Sequence, residues 1–347
     1  MRLLALIKKE ALAIRNDRRS MFVIIVPPLL QILIFAFSVT LEVKNLNLAI
    51  LNLDGSSYAK EVITKLESAK FIKSITMVKS YEEGKRLITN QKVLAFLVIP
   101  KNFSKGENLA LVMDGRYSNS AQIANGYIEQ AISGLSIDAR NFYNPNLDNF
   151  WWIVPNLSCS ILMVMSIVLT SLSISREREV GTFDQIIVSP LSSFEILLGK
   201  LLPAFLISLA LSSVVLFIAY FFFKVPIVGS LWLLYLGTAI FIFCVCSIGL
   251  FISVFSNTQQ QAILGAFVFL LPSFMLSGFA TPIENMPSWL QPVSYFVPLT
   301  YHITFVKGVL LKDISFTQSL EYILPMAVFG IVIFMITLIF FRRSILR

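Results

Sequence analysis

SREREVGTFDQIIVSPLSSFEILLGK, residues 175–200, is a polar interval between two long apolar runs. Two helix starts are legible inside it. Thr182 followed by Gln185 fits a capping box, with Gly181 allowing the turn before it. Phe183, Ile186 and Ile187 then make a short apolar face, and Ser189-Pro190 stops the helix, because the residue before a proline is driven out of the α region. Ser192 followed by Glu195 is a second capping box, which opens the next apolar run. The spacing predicts a short capped helix within 176–190, rimmed by Arg176, Glu177, Arg178, Glu179 and Asp184. On the residues alone two readings stand: a handle that a partner grips, or a solvated loop that only reverses the chain.

The flanking runs set the class. The chain has 347 residues, 56% of them hydrophobic and 14% charged, against about 25% charged in a soluble domain. Its mean hydropathy is +0.78. A bilayer-crossing helix needs about 20 largely apolar residues. Six stretches qualify: Met21–Leu41, Trp152–Ile174, Leu201–Phe223, Leu231–Phe255, Gln261–Ala280 and Tyr322–Phe341, none with Asp, Glu, Lys, Arg or His in its interior. Arg2, Lys8, Lys9, Arg15, Arg18 and Arg19 precede the first, and Arg342, Arg343 and Arg347 follow the last. Basic flanks face the cytoplasm, so both ends and the 175–200 interval are expected there. The net charge of +8 thus serves topology. The basic residues form no stripe with stacking aromatics, which argues against nucleic acid.

The fold class expected is an α-helical polytopic membrane protein with six transmembrane helices and both ends inside. Residues 1–20 read as an amphipathic helix lying at the cytoplasmic surface of the lipid bilayer, with Leu3, Ile7, Ala11 and Ile14 on one stripe. Residues 21–41 form the first span, kinked at Pro27-Pro28. The run is longer than the apolar core of a cleaved leader, so a retained helix is expected.

Residues 42–150 change in composition. Leu46–Leu53, Val93–Ile99 and Leu109–Met113 read as strands. Ser56–Ala69, Ser80–Asn90 and Ala121–Tyr143 read as helices, with Ser80 and Glu83 as a capping box. Asp54-Gly55 and Asp114-Gly115 suit turns. Together they make an α/β domain outside the membrane, inserted between helices one and two. Residues 151–347 then form a five-helix permease region. Its outer segment 282–300 carries Pro282, Pro287, Pro292 and Pro298 with Met286, Trp289, Leu290, Val293 and Phe296, and reads as a re-entrant or surface-lying helix pair. Cys159, Cys244 and Cys246 all fall in spans, as packing residues rather than a disulfide framework.

Glu-Arg-Glu-Val-Gly-Thr-Phe-Asp-Gln-Ile-Ile-Val-Ser-Pro, followed by Leu198-Gly199-Lys200, resembles the cytoplasmic loop of type-2 ATP-binding-cassette (ABC) exporter permeases. Pro282, Met286, Pro287 and Pro298-Leu299-Thr300-Tyr301 resemble that family's outer segment, and the six spans match over essentially the whole chain. The large domain after the first span is similar to the bacterial multidrug-exporter branch. The resemblance implies two permease chains, identical or homologous, with a translocation pathway between them in the bacterial inner membrane. It implies a separate ATPase subunit that uses ATP and Mg, with no cofactor on this chain, and leaves room for a periplasmic adaptor. It assigns ATPase coupling, and no catalysis, to Glu177, Glu179, Gly181, Thr182, Phe183, Gln185, Pro190 and Lys200, with Gly199 in the same motif.

Gly199-Lys200 is not a P-loop: Leu201 stands where Ser or Thr is required, and Phe194 where the first Gly belongs. The chief rival is an ion-gradient-driven secondary transporter. That class places an ionisable residue at membrane depth, and here the interiors offer only Gln31, Asn156 and hydroxyls. A membrane enzyme is disfavoured too. His302 is the sole histidine, expected as a structural residue in an outer loop, and no metal-ligand spacing is present.

Overall fold

The computed structural model describes residues 6–10, 12, 26, 28–32, 34, 46–90, 92–113, 118–133, 148–279, 283 and 286–345. The chain divides into two compact units: Thr40–Arg140, and Met1–Val39 with Asn141–Arg347.

The first unit is built on a four-stranded sheet in the order β2-β1-β3-β4, with β1 at Leu46–Asn52, β2 at Ile72–Met77, β3 at Ala95–Ile99 and β4 at Ala110–Met113. Strand β1 runs parallel to β2 and β3, and β4 pairs antiparallel with β3. Its sequence LNLAILN is buried almost throughout, as a central parallel strand covered on both faces must be. Leu46, Leu48 and Ile50 join one apolar cluster, and Ala49 and Leu51 the other. The covering helices include α1 (Ser57–Glu67), α2 (Tyr81–Thr89) and α3 (Ser118–Ser133). The Ser56 hydroxyl accepts the Ala59 amide at 3.2 Å, and the Ser80 hydroxyl accepts that of Glu83 at 3.2 Å. The second half of the expected box differs: the Glu83 carboxylate accepts from the Lys79 amide at 2.8 Å, not from Ser80. Strand β2 is absent from the sequence reading, because Lys73, Ser74, Thr76 and Met77 are exposed and break the two-residue apolar alternation. Residues 114–117 and 134–147, with the Asp114-Gly115 turn and the end of the third expected helix, lie outside the described residues.

The second unit is a helical bundle: α4 (Asn149–Val180), α5 (Phe183–Ile187), α6 (Ser193–Phe221), α7 (Leu231–Phe255), α8 (Gln259–Leu276), α9 (Gln291–Ser294), α10 (Pro298–Lys312) and α11 (Phe316–Ile345). Among the described residues five helices are long and apolar enough to cross a membrane: Phe150–Val180, Ser193–Phe221, Leu231–Phe255, Gln259–Leu276 and Phe316–Arg343. They coincide with the five later expected spans, so the chain is a multi-pass membrane protein. The first expected span falls mostly outside the described residues, where Val26, Pro28–Ile32 and Ile34 are helical and Pro27 is not described.

Helix α7 packs against α4, α6 and α11. Gly249 makes the α4 contact tight: a Cβ there would run into the Thr170 hydroxyl and the Ile167 carbonyl. Small residues at such crossings let helix backbones approach in lipid, where van der Waals packing replaces the hydrophobic drive.

Two expectations need correction. The helical segment expected at 282–300 is not confined to those residues. It holds the four-residue α9, then α10, which runs on to Lys312. His302 accordingly sits in a buried helix and not in an outer loop. Leu299, Ile303, Val306 and Leu310 recur at helical spacing and are all buried, but a 15-residue helix is shorter than the roughly 20 residues of a span. The six residues from Pro282 to Pro287 are described only at Ile283, Met286 and Pro287.

Candidate functional site

The 175–200 interval is not a loop carrying one helix. Its first six residues continue α4, which persists to Val180. Gly181 ends the helix with φ +79°, a left-handed conformation that glycine adopts without the Cβ penalty. The Gly181 amide donates to the Arg178 carbonyl at 3.2 Å, and the Thr182 amide to that of Glu177 at 2.9 Å. This is a Schellman closure, which satisfies carbonyls left over at a helix end. The expected Thr182–Gln185 capping box does not form. Thr182 makes no side-chain cap, because its hydroxyl donates to the Glu177 carboxylate at 2.6 Å, and a charged acceptor makes the stronger bond. The Ser192–Glu195 box does form: the Ser192 amide donates to Glu195 Oε2 at 2.8 Å, and the Glu195 amide to Ser192 Oγ at 3.3 Å.

Three consecutive charged residues tie the end of α4 to its surroundings. Glu177 Oε1 accepts from Lys200 Nζ at 2.8 Å and from Lys9 Nζ at 2.9 Å. The Arg178 guanidinium donates to the carbonyls of Val254 at 2.7 Å and Ser256 at 3.1 Å, at the C-terminal end of α7. It also lies 4.8 Å over the Phe183 ring, a cation–π contact. Glu179 Oε2 accepts the Gln259 amide at 2.7 Å, placing negative charge where the α8 dipole is positive.

Lys200 is the hub. Its side chain is 1% exposed, and Nζ lies 2.7 Å from Glu10 and 2.8 Å from Glu177. Lys9 reaches Glu10 at 3.6 Å from the solvent side. Partial burial by itself would lower the Lys9 ammonium, but the Glu177 and Glu10 carboxylates outweigh it and hold it above its ordinary value. Residues 6–10 are helical, and they sit close because residue 199 is glycine: a Cβ there would run into Leu6. The Gly-Lys pair therefore has a physical meaning of its own. Glycine admits the N-terminal helical segment, and lysine ties it to α4.

Helix α5 turns Ile186 into a cluster with Ile174, Ile196, Leu197, Leu201 and Phe341, while Phe183 meets Phe341 edge-on at 6.2 Å. The other side is bare. Asp184, Gln185 and Val188 are exposed, Val188 to 84%, and with Ser189 they line a shallow depression. Of the residues expected to couple, Glu177, Thr182 and Lys200 come together in one network. Gly181 and Glu179 hold helix ends, Phe183 is half-buried, and Gln185 and Pro190 face outward. The ties through Lys9, Glu10 and Arg178 escaped the sequence reading, since charge alternation gives no hint of carbonyl partners 76 residues away.

His302 is fully buried and stacked on Phe241, ring centroids 3.9 Å apart. The three cysteines are buried and free. Among the described residues no cluster of three or more His, Cys, Asp or Glu side chains is arranged to hold a metal.

The profile described as "ABC-2 family transporter protein" matches residues 18–339. "Probable multidrug ABC transporter permease YbhR" of Escherichia coli (strain K12) is 34% identical, covering 99% of this chain and 99% of that protein. "Inner membrane transport permease YhhJ" of the same strain is 29% identical over 91% of this chain and 93% of its own length. "ABC transporter G family member 20" of Dictyostelium discoideum is 22% identical over 89% of this chain, which spans 46% of that protein.

Proposed function

The chain belongs to the ABC-2 transporter family, and from that premise we propose that it is the permease subunit of a multidrug-type exporter in the bacterial inner membrane. Two permease chains, identical or homologous, form the translocation pathway between them. ATP and Mg are handled by a separate ATPase subunit, a reading supported by the likeness to a permease matched over 99% of both chains.

The observation that carries the coupling part is the two-sidedness of α5. Its inner side is pinned by Ile186 and Phe183, and its flank by the network on Glu177 and Arg178. Asp184, Gln185 and Val188 face outward on a rigid mount. A rigid element with an exposed apolar tip and an acidic neighbour suits docking into a groove of the ATPase. The assignment of roles shifts accordingly. Glu177, Thr182 and Lys200 position the element, and Asp184, Gln185 and Val188 make the contact.

The test is mild-detergent co-purification from the native membrane, with ATPase activity measured on the complex. Val188→Asp, which touches none of the ties, is expected to lose the ATPase chain while the permease keeps its melting temperature. Retention of a coupled ATPase by Val188→Asp refutes the docking face. A chain that purifies alone and shows no ATPase activity refutes the exporter reading and returns the ion-driven transporter.

A further inference from the structure

Helices α6 and α11 both pack on α7 and scarcely touch each other. The gap between them is an open groove of about 420 Å³, lined by Leu198 and Phe205 of α6, Ala239 and Phe243 of α7, and Ala327 and Ile331 of α11 among others. A cavity of roughly 150 Å³ with walls of this kind already holds a benzene ring, so the groove takes a longer hydrocarbon group. Every lining side chain is apolar. A compact ligand is oriented by a few polar groups placed in its site, and the groove offers none. A hydrocarbon chain anchored elsewhere needs none.

The anchor stands on α11. Ala327 and Ile331 straddle the middle of its apolar span, Phe316–Arg343. Arg342 lies eleven residues beyond Ile331, which is three turns and about 20°, on the same face and about 16 Å further along the axis. Half the hydrocarbon thickness of a bilayer is about 15 Å, so Arg342 stands at headgroup level. Its neighbour Phe341 meets Phe183, which places this end beside α5. Arg342 is exposed, and among the described residues it has no ion pair. Arg343 is equally exposed but turned about 100° away from it. Between Arg342 and the groove, Phe194 of α6 stands edge-on to Phe334 of α11 at 5.9 Å. Phe194 is 43% exposed and gives a hydrocarbon chain an apolar surface to run along.

We propose that the groove holds an acyl chain of an anionic phospholipid from the leaflet on the α5 side, with the lipid phosphate on Arg342. The guanidinium fork matches phosphate oxygens, and the apolar wall takes up the chain whatever its headgroup. Arg342 therefore sets the preference for an anionic lipid, and the groove sets the grip. The site makes no use of the α5 face, and binding is measured without ATP or an ATPase, so its failure is separate from that of the exporter reading.

The experiment is native mass spectrometry of the full chain in detergent, titrated with phosphatidylglycerol and with phosphatidylcholine of the same acyl chains. One basic residue near an anionic lipid is worth a factor of about five. A preference of that size for phosphatidylglycerol is expected, kept by Arg342→Lys and Arg343→Ala and lost in Arg342→Ala. Ala327→Phe, which fills the groove, is expected to weaken both lipids. Equal losses in Arg342→Ala and Arg343→Ala, or a preference untouched by Arg342→Ala, overturn the proposal. Ala327→Phe that keeps its lipid and instead separates two copies of the chain also overturns it, since the groove is then a contact between copies. Photolabelling of the unmutated chain in nanodiscs stands if a variant fails to fold. The probe is phosphatidylglycerol with a diazirine in its acyl chain. Label on residues 198–205, 239–243 and 327–331, competed by phosphatidylglycerol more than by phosphatidylcholine, is the result expected. Label spread over exposed side chains such as Leu264 and Val268 of α8, without competition, overturns it.

Discussion

Replacing Lys200 by methionine removes the hub of the network while keeping most of the side chain's volume. In the unmutated chain a buried ammonium, 1% exposed, stands between Glu10 and Glu177, whose side chains are 13% and 11% exposed. Taking one partner out of a buried ion pair costs about 3–5 kcal/mol, because it strands the opposite charge. Lys9 remains 2.9 Å from Glu177 and 3.6 Å from Glu10, and at 54% exposure its help is screened by water. The lower end of the range, about 3 kcal/mol, is therefore expected. At 1.4 kcal/mol per decade that is roughly a hundredfold rise in local opening. Native-state hydrogen exchange on the full chain in nanodiscs reads it directly, at residues 6–10 and 177–187. The control is Lys65→Met, whose 3.0 Å pair with Glu61 has both side chains well exposed and is worth less than about 0.5 kcal/mol. Combining Lys200→Met with Glu10→Gln and Glu177→Gln removes the stranded charges and is expected to recover most of the loss. Exchange rising less than threefold in Lys200→Met, or no recovery in the triple variant, refutes the hub.

Gly181→Val is expected to raise exchange of α5 by about tenfold, since a non-glycine residue in the left-handed region costs about 1–2 kcal/mol. Gly181→Asn should fall between, because no atom lies within 4 Å of a Cβ there and only the dihedral is at issue. Gly249→Val forces apart α4 and α7, a destabilisation of about 1–3 kcal/mol read as a lower melting temperature. Adding Thr170→Ala recovers only part of it, because the Ile167 carbonyl is main chain. In the other unit, burial would raise the Asp54 carboxyl, but hydrogen bonds from the Ser104 amide and from the Ser56 hydroxyl and amide hold it below its ordinary value. A depressed carboxyl contributes stability that is present above about pH 4 and is lost as pH falls further. Exchange of β1 and α1 should thus rise on acidification in the unmutated chain, and the rise should be smaller in Asp54→Asn.

What was legible in the sequence was whatever local periodicity dictates. The long apolar runs became α4, α6, α7, α8 and α11, and the continuous run LNLAILN became the central strand. The Ser192–Glu195 cap was readable because both of its bonds close within four residues. The failures share a cause, which is that a partner outside the local motif decides the outcome. Thr182 has the right spacing to Gln185, and a carboxylate from the previous turn takes its hydroxyl. The resemblance assigns Lys200 to ATPase coupling, and nothing local in the sequence shows that its ammonium is enclosed by Glu10, 190 residues earlier, and by Glu177. Helix α10 fails a length criterion made for helices that cross alone, since it is buried by neighbours.

The same geometry decides how α5 can move. Freeing it from α4 means opening the Schellman closure, the Thr182–Glu177 bond and the Arg178–Phe183 contact together. Hydrogen bonds to charged groups contribute about 1.5–3 kcal/mol each, so independent motion of α5 is costly. Helix α4 is continuous over 32 residues, about 48 Å. A displacement imposed on the outward face of α5 is therefore carried along α4, and with it move the segment at residues 6–10 and the near ends of α6, α7 and α8, each held to α4 by its own polar tie. Under the proposed function, these charged ties are what couples α5 to the bundle.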